Sequence, residues 1–429
     1  MAVIRGCILS VTFHCVIGSI LNANNLLLLR GRFHTEDCNT EAGVSGDGDE
    51  AESLFGWSMV GHLGDLYVGS PLAGDGRVYR CHLGDQANLP CQRLTSPPRL
   101  GTRAWFGGSL AASGKSLYSC AFRFKWENYL DGQQVGKCFV LLADAFRDFF
   151  DFTRKNFPKT PYSPWKYYGF YGVSATVDDS GDLVIGNPTA FDKVGHESDP
   201  YKVAGTIGKV SAGTLLDATL ADWVTSLQDK SKMMNTFKLT GYHVTTGQFF
   251  KGHRRSFLVS APKADNYKGR VHICADCFQD VTSRSFVFGD RAENLVVSGD
   301  QPGEHFGSSA VACDLTGDGR DDLIVGAPHY GHRHYHNLGR AYVFMRVSTG
   351  YPVRRHSFLS PPAEMSGARF GSAVGCLGEA SKKVVVGAPY YQHNGAVFLY
   401  RFSDNKLELS QTILSPGLFM FLLCLLLML

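Results

Sequence analysis

The sequence predicts an all-β protein built as a propeller, with small sheets stacked around an axis. Three observations carry that prediction. One frame recurs along the 429-residue chain: a Phe-Gly start, an apolar run, a polar loop, a second apolar run ending in Gly-Ala-Pro, then an aromatic-rich run. The runs LIVG, VVVGAP, AYVFMRV and AVFLYRF are short, rich in β-branched and aromatic residues, and bounded by glycine and polar turns, as strands are. The 48 glycines follow no Gly-X-Y period and so indicate many tight turns. A sheet of about four such strands cannot bury both faces alone, so neighbouring sheets must stack.

Taken in order, the first 23 residues read as a secretory signal, with Arg5 as the basic start, an apolar stretch from Cys7 to Leu21 and a candidate cleavage point at Ala23. Residues 24–54 form an N-terminal segment, whose acidic stretch GVSGDGDEAES reads as a linker. The propeller spans residues 55–412. Its clearest copies are FGSSAVACDLTGDGRDDLIVGAP from Phe306 and FGSAVGCLGEASKKVVVGAP from Phe370. Weaker copies start near residues 55, 106, 168 and 240, making six recognisable blades. The proline of each Gly-Ala-Pro halts strand pairing, and the phenylalanine of each Phe-Gly fills the space between sheets. Residues 413–429 end in LFMFLLCLLLML, short of the ~20 residues a spanning helix needs. That tail is read three ways: a glycosylphosphatidylinositol attachment signal with small residues around Ser403 to Asn405, the remnant of a longer gene, or a buried terminal strand.

Composition narrows the function. The chain is 44% hydrophobic, 12% aromatic and 19% charged, which suits a packed protein. A formal charge of +3 is too small to argue for a nucleic-acid partner. No GxSxG elbow, HExxH or P-loop pattern occurs, so no enzymatic activity is expected. With a secretory signal, cysteines enter an oxidising compartment and pairing becomes the default. Cys81 with Cys91, and Cys120 with Cys138, would each staple a loop. Cys274 and Cys277 form a lone CxxC, read as a local disulfide or as residues with separate partners, and Cys313 and Cys376 read as buried thiols.

The repeats resemble FG-GAP repeats, and their order resembles the head propeller of an integrin α subunit. Beyond the repeats, RVYRC followed by Cys91 resembles that family's first-blade cysteine loop, and WFGGSL followed by CAFRFKW and Cys138 resembles its second blade. The resemblance covers roughly residues 50 to 412. It implies a seven-bladed architecture against the six blades counted, and the space between the second and third copies is too short for an inserted ligand-binding domain. It implies an extracellular adhesion module, non-enzymatic, that pairs with an integrin β-type subunit and binds a matrix or cell-surface protein. The alternatives are a secreted or lipid-anchored decoy of such a module, and a metal-dependent propeller hydrolase or lyase.

The loop DLTGDGRDD decides the metal question. Asp314, Thr316 and Asp318 alternate, Gly319 permits the turn, Arg320 offers its backbone carbonyl, and Asp322 supplies a closing carboxylate. An EF-hand needs a glutamate where Val325 stands and helices where strand-like runs stand. The pattern instead matches the FG-GAP calcium loop between a blade's first two strands, so Ca2+ is the expected cofactor. The equivalent loop of the fourth copy carries Lys251, His253, Arg254 and Arg255, which repel a cation, whereas Asp178, Asp179 and Asp182 of the third leave weak metal binding open. In the family, the loops after each GAP lie on the face opposite the calcium loops, where partners dock. The resemblance therefore places Tyr330, Arg333, Tyr335, Tyr390, Tyr391, Tyr167, Tyr168 and Phe170 as partner-binding candidates, since aromatics and arginine anchor interfaces.

Overall fold

The β-rich runs pair, copy by copy, into four-stranded meanders. In a computed structural model of the chain, the described residues are 13–17, 27–31, 57–82, 91–101, 103–114, 116–125, 136–151, 170–189, 191–192, 202–211, 219–224, 237–250, 255–275, 294–332, 334–345, 353–377, 382–393 and 395–414. Blade 1 comprises Ser58–His62, Asp65–Ser70, Arg77–His82 and Cys91–Arg93, and blade 2 comprises Ser109–Ser113, Ser116–Ala121, Lys137–Leu142 and Ala145–Asp151. Blade 3 is built on Ser174–Val177, Leu183–Asn187, Lys202–Ser211 and Thr219–Val224. Its long third strand also pairs with Phe191–Asp192 and, in parallel, with Phe237–Thr240. Blade 4 runs through Val244–Gly247, Ser256–Ala261, Arg270–Cys274 and Asn294–Ser298. Blade 5 follows with Ser309–Cys313, Asp322–Ala327, Arg340–Met345 and Arg354–Leu359, and blade 6 with Ala373–Leu377, Lys383–Ala388, Ala396–Ser403 and Lys406–Leu414. Among the described residues the protein is a six-bladed, all-β propeller.

The first strand of each blade lies against the first strand of the next, from blade 1 through blade 6. Among the described residues, five apolar cores fill the intervals between consecutive blades. The phenylalanines of the repeat sit inside them: Phe106, Phe306 and Phe370 are each 0% exposed. No ladder or bridge joins blade 6 to blade 1 among the described residues. Side chains alternate across a strand, so Val385, Val397 and Leu399 face away from blade 5, and Met59, Leu66 and Val68 face away from blade 2. All six are buried, and the end blades are not bare apolar walls.

The Phe-Gly and Gly-Ala-Pro ends of the repeat meet through backbone. The Gly307 N–H donates to the Gly326 carbonyl within blade 5, and Gly371 to Gly387 within blade 6, both at 3.0 Å. Between blades, a Cβ on Gly326 would overlap the carbonyl oxygen of Gly371, which itself holds a φ of +84°. Only glycine permits that approach. The serine two residues after Phe-Gly then bridges outward: Ser58 Oγ donates to the Gly107 carbonyl at 2.7 Å, Ser109 Oγ to Gly172 at 2.6 Å, and Ser309 Oγ to Gly371 at 3.0 Å.

Disulfides join Cys81 to Cys91 and Cys120 to Cys138 across adjacent strands. Cys313 and Cys376 correct the expectation of free thiols, because adjacent first strands bring them together as a disulfide between blades, and Cys274 of the CxxC is disulfide-bonded as well. Phe13–Ile17 pairs antiparallel with Leu27–Gly31 in a separate two-stranded sheet that spans the candidate cleavage point. Residues 415–429 and the acidic linker at 43–53 lie outside the described residues. Among the described residues, no helix is long and apolar enough to cross a membrane.

Candidate functional site

Each first strand runs from its Phe-Gly start to the loop after it, and the second strand runs back to Gly-Ala-Pro. The Phe-Gly and post-GAP loops therefore share one face of the propeller, and the acidic loop of blade 5 lies on the other.

Residues 314–321 connect Ser309–Cys313 to Asp322–Ala327, and Gly317 and Gly319 turn the chain at φ of +79° each. Asp314 folds the loop around itself. Its Oδ1 accepts the N–H of Gly317 at 2.7 Å and of Asp318 at 3.1 Å, with the Thr316 hydroxyl at 3.4 Å, and its Oδ2 accepts Gly319 N–H at 2.8 Å. Asp318 Oδ1 accepts the Arg320 N–H at 3.0 Å. Asp322 is 0% exposed, and its Oδ2 accepts the Leu315 N–H at 3.2 Å. Burial first, and then the charges of Asp318 and Asp314, raise the Asp322 carboxyl to about 7 against the pull of the Leu315 and Thr316 backbone.

Three carboxylates, a hydroxyl and backbone carbonyls on a sharply turned loop are the donors a hard cation takes. Asp314 Oδ2 receives a single hydrogen bond, which leaves it acceptor capacity for a cation. In this conformation no three His, Cys, Asp or Glu side chains of the described residues are arranged around one point to hold a metal. The donor chemistry fits calcium.

The loop of blade 3 differs. Lys209 Nζ lies 2.6 Å from Asp178 Oδ2 and 3.0 Å from Asp182 Oδ2, and Asp178 Oδ1 caps the N–H groups of Ser180 and Asp182. A single ammonium group already pairs with both acids, and Asp179 Oδ2 accepts the Arg255 N–H of blade 4. A cation at Asp178, Asp179 and Asp182 would have to compete with Lys209.

On the opposite face, rings gather where the Phe-Gly loops begin. Trp57 and Trp105 lie 5.3 Å apart edge-on, Trp105 and Phe122 5.2 Å, and Phe122 and Phe170 6.4 Å. Tyr242, His305 and His329 continue the pattern, with His305 5.3 Å from Tyr242 and stacked on His329 at 5.2 Å. Trp105, His305 and Arg369, each just before a Phe-Gly, hold φ of 61°, 62° and 52°. Such left-handed conformations in bulky residues cost energy and concentrate at functional positions. The Trp105 indole N–H is buried and makes no hydrogen bond among the described residues. Burial, with the charges of His329 and Lys263, lowers His305 to about 4, so its ring is neutral at physiological pH.

Of the partner-binding candidates, Phe170 joins this ring set. Tyr330 is half-buried beneath the Arg340 guanidinium, 3.6 Å from the ring centroid, and Arg369 lies 4.9 Å from the Tyr390 ring. Tyr335 exchanges two backbone hydrogen bonds with His332. Tyr391 is corrected: it is 4% exposed and packs edge-on against Phe398 at 5.1 Å, inside the core between blades 5 and 6. Tyr167, Tyr168 and Arg333 lie outside the described residues. Sequence reading missed Trp57, Trp105, Tyr242, His305 and His329. The signal for two of them was the residue immediately before each Phe-Gly.

Comparisons with known proteins agree with this architecture. The FG-GAP repeat family matches residues 306–344. Integrin alpha-PS5 of Drosophila melanogaster is 30% identical over 398 residues, covering 85% of this chain and 36% of that protein. Integrin alpha-5 of Xenopus laevis is 26% identical over 313 residues, covering 69% and 27%. The chain thus spans about a third of the length of such relatives. Among solved structures, the periplasmic gluconolactonase of Pseudomonas aeruginosa aligns with a TM-score of 0.48 at 13% identity, over 94% of this chain and 96% of that one, too loose a match to bear on function. The blades, the cysteine loops and these relatives together make the chain an integrin-α-like FG-GAP β-propeller.

Proposed function

We propose that the chain is a non-enzymatic extracellular adhesion module that pairs with an integrin β-type subunit and helps bind a matrix or cell-surface protein. One observation carries this reading. Half-buried rings and strained Trp105 and His305 cluster on the face opposite the acidic loop, and they offer a partner rigid aromatic anchors. Calcium, held by Asp314, Thr316, Asp318, Arg320 and Asp322, is structural in this reading. The cation neutralises the buried Asp322 and fixes the loop, so that binding is coupled to folding. Export through residues 1–23 and an oxidising extracellular setting are supported by the cross-strand disulfides of blades 1 and 2.

Co-expression with a β-type integrin subunit tests the pairing. The wild-type chain is expected to co-purify with it, and Trp105→Ala combined with Tyr242→Ala to lose the partner while keeping the wild-type melting curve. A wild-type chain that remains monomeric beside an intact β subunit would refute the reading.

A further inference from the structure

The disulfides of blades 1 and 2 each close a hairpin within one sheet, over 10 and 18 residues. The Cys313–Cys376 disulfide behaves differently. Cys313 is the last residue of the first strand of blade 5, and Cys376 is the penultimate residue of the first strand of blade 6. These strands pack side by side, and the disulfide crosses between sheets over 63 residues, with Cα atoms 6.3 Å apart.

Cys313 directly precedes Asp314, the residue around which the acidic loop folds. The far end of the same loop is tied to the other neighbour. Asp321 Oδ2 accepts the Gln248 N–H of blade 4 at 2.6 Å, and the Asp321 N–H donates to the Gln248 carbonyl at 2.8 Å. Lys382 of blade 6 also lies over the loop, where a Cβ on Gly317 would sit 3.7 Å from its Nζ. The loop is thus pinned at its start to blade 6 by a covalent bond and at its end to blade 4 by two hydrogen bonds.

We propose that the Cys313–Cys376 bridge is a thiol–disulfide switch that sets the calcium affinity of the blade 5 loop. Forming it removes two electrons and two protons from the thiol pair; an external disulfide of an oxidising compartment accepts them and leaves as two thiols, and a dithiol reductant reverses the exchange. The bridged form holds the backbone of Asp314 against blade 6, so less ordering remains for the cation to impose. The reduced form leaves the loop start free to drift, and calcium then binds more weakly. The proposal rests on the calcium reading of Asp314 to Asp322.

Calorimetric titration of the full chain with calcium provides the test, on wild type and on Cys376→Ser, with Cys376→Val as an apolar control for folding. Non-reducing peptide mapping of wild type runs alongside. Mapping is expected to recover a linked Cys313–Cys376 peptide, and both variants are expected to bind calcium about tenfold more weakly, within the usual range of coupling between sites. Alkylation of both cysteines in protein taken from an oxidising compartment would overturn the bridge. Equal affinity in wild type and variants would overturn the switch but leave the calcium site standing. No calcium binding by any form would refute the calcium reading and the switch with it, whatever the mapping showed of the bridge.

Discussion

Lys209 offers the sharpest test of how the acidic loop of blade 3 is held. Lys209→Met keeps the aliphatic stem and removes only the ammonium that sits 2.6 Å from Asp178 and 3.0 Å from Asp182. The three side chains are 18%, 9% and 15% exposed, so water screens the two stranded carboxylates poorly. Breaking a fully buried pair costs about 3–5 kcal/mol; the residual exposure here points to the low end, about 3 kcal/mol. That corresponds to roughly a hundredfold fall in the ratio of folded to unfolded chain. Burial pulls the Lys209 pKa down, but hydrogen bonds and charges from Asp178 and Asp182 outweigh it and raise it. A raised folded pKa gives stability that is complete below the unfolded value and lost only as pH climbs through the folded one. The deficit should therefore stay constant from about pH 6 to 9. Urea denaturation at several pH values measures it. Asp178→Asn placed on Lys209→Met should recover most of the loss by removing a stranded charge. A loss below about 0.5 kcal/mol, the scale of an exposed pair, would refute the claim that Lys209 holds this loop.

Three further predictions concern the frame and the loops. Gly326→Ala puts a methyl group against the Gly371 carbonyl and should destabilise the protein by about 1–3 kcal/mol, read by thermal melting, with wild-type stability counting against the close approach of blades 5 and 6. Glu304 is 0% exposed, accepts the Tyr342 hydroxyl at 2.8 Å and the Asp300 N–H at 2.7 Å, and has its pKa raised by burial despite those bonds. Its stabilising contribution is complete below the unfolded pKa and falls as pH rises through the folded value, so Glu304→Gln should gain on wild type as pH increases; parallel stability curves would contradict this. Lastly, Cys81→Ser with Cys91→Ser should lower stability by about 2–4 kcal/mol without changing calcium affinity, because that disulfide lies in blade 1, away from the loop.

The sequence made the blades legible because each one repeats a strand period and the same glycines. Phe306, Gly307, Gly326 and the strands between them follow from pattern alone, as does the position of Asp314 to Asp322 between two strands. What pattern could not supply is what one blade does to the next. Lys209 stands on the third strand of blade 3, 31 residues from Asp178, and only the ladder between Leu183–Asn187 and Lys202–Ser211 brings it to the acids. Cys313 and Cys376 looked like core thiols because each sits in an apolar strand; their union depends on the packing of two first strands. Tyr390 and Tyr391 are adjacent in sequence, yet a 3-10 turn at Tyr391–His393 sends Tyr391 into the core. The aromatic face escaped notice because its rings come from different blades, with Trp105 and His305 directly before a Phe-Gly and the others elsewhere in the loops.

The most direct measurement is a calcium titration of the full chain by calorimetry, paired with melting curves in calcium and in chelator. One saturable site, a higher melting temperature with calcium, and loss of both effects in Asp318→Ala are expected. Identical melting curves in calcium and chelator, with no binding heat, would contradict the calcium site.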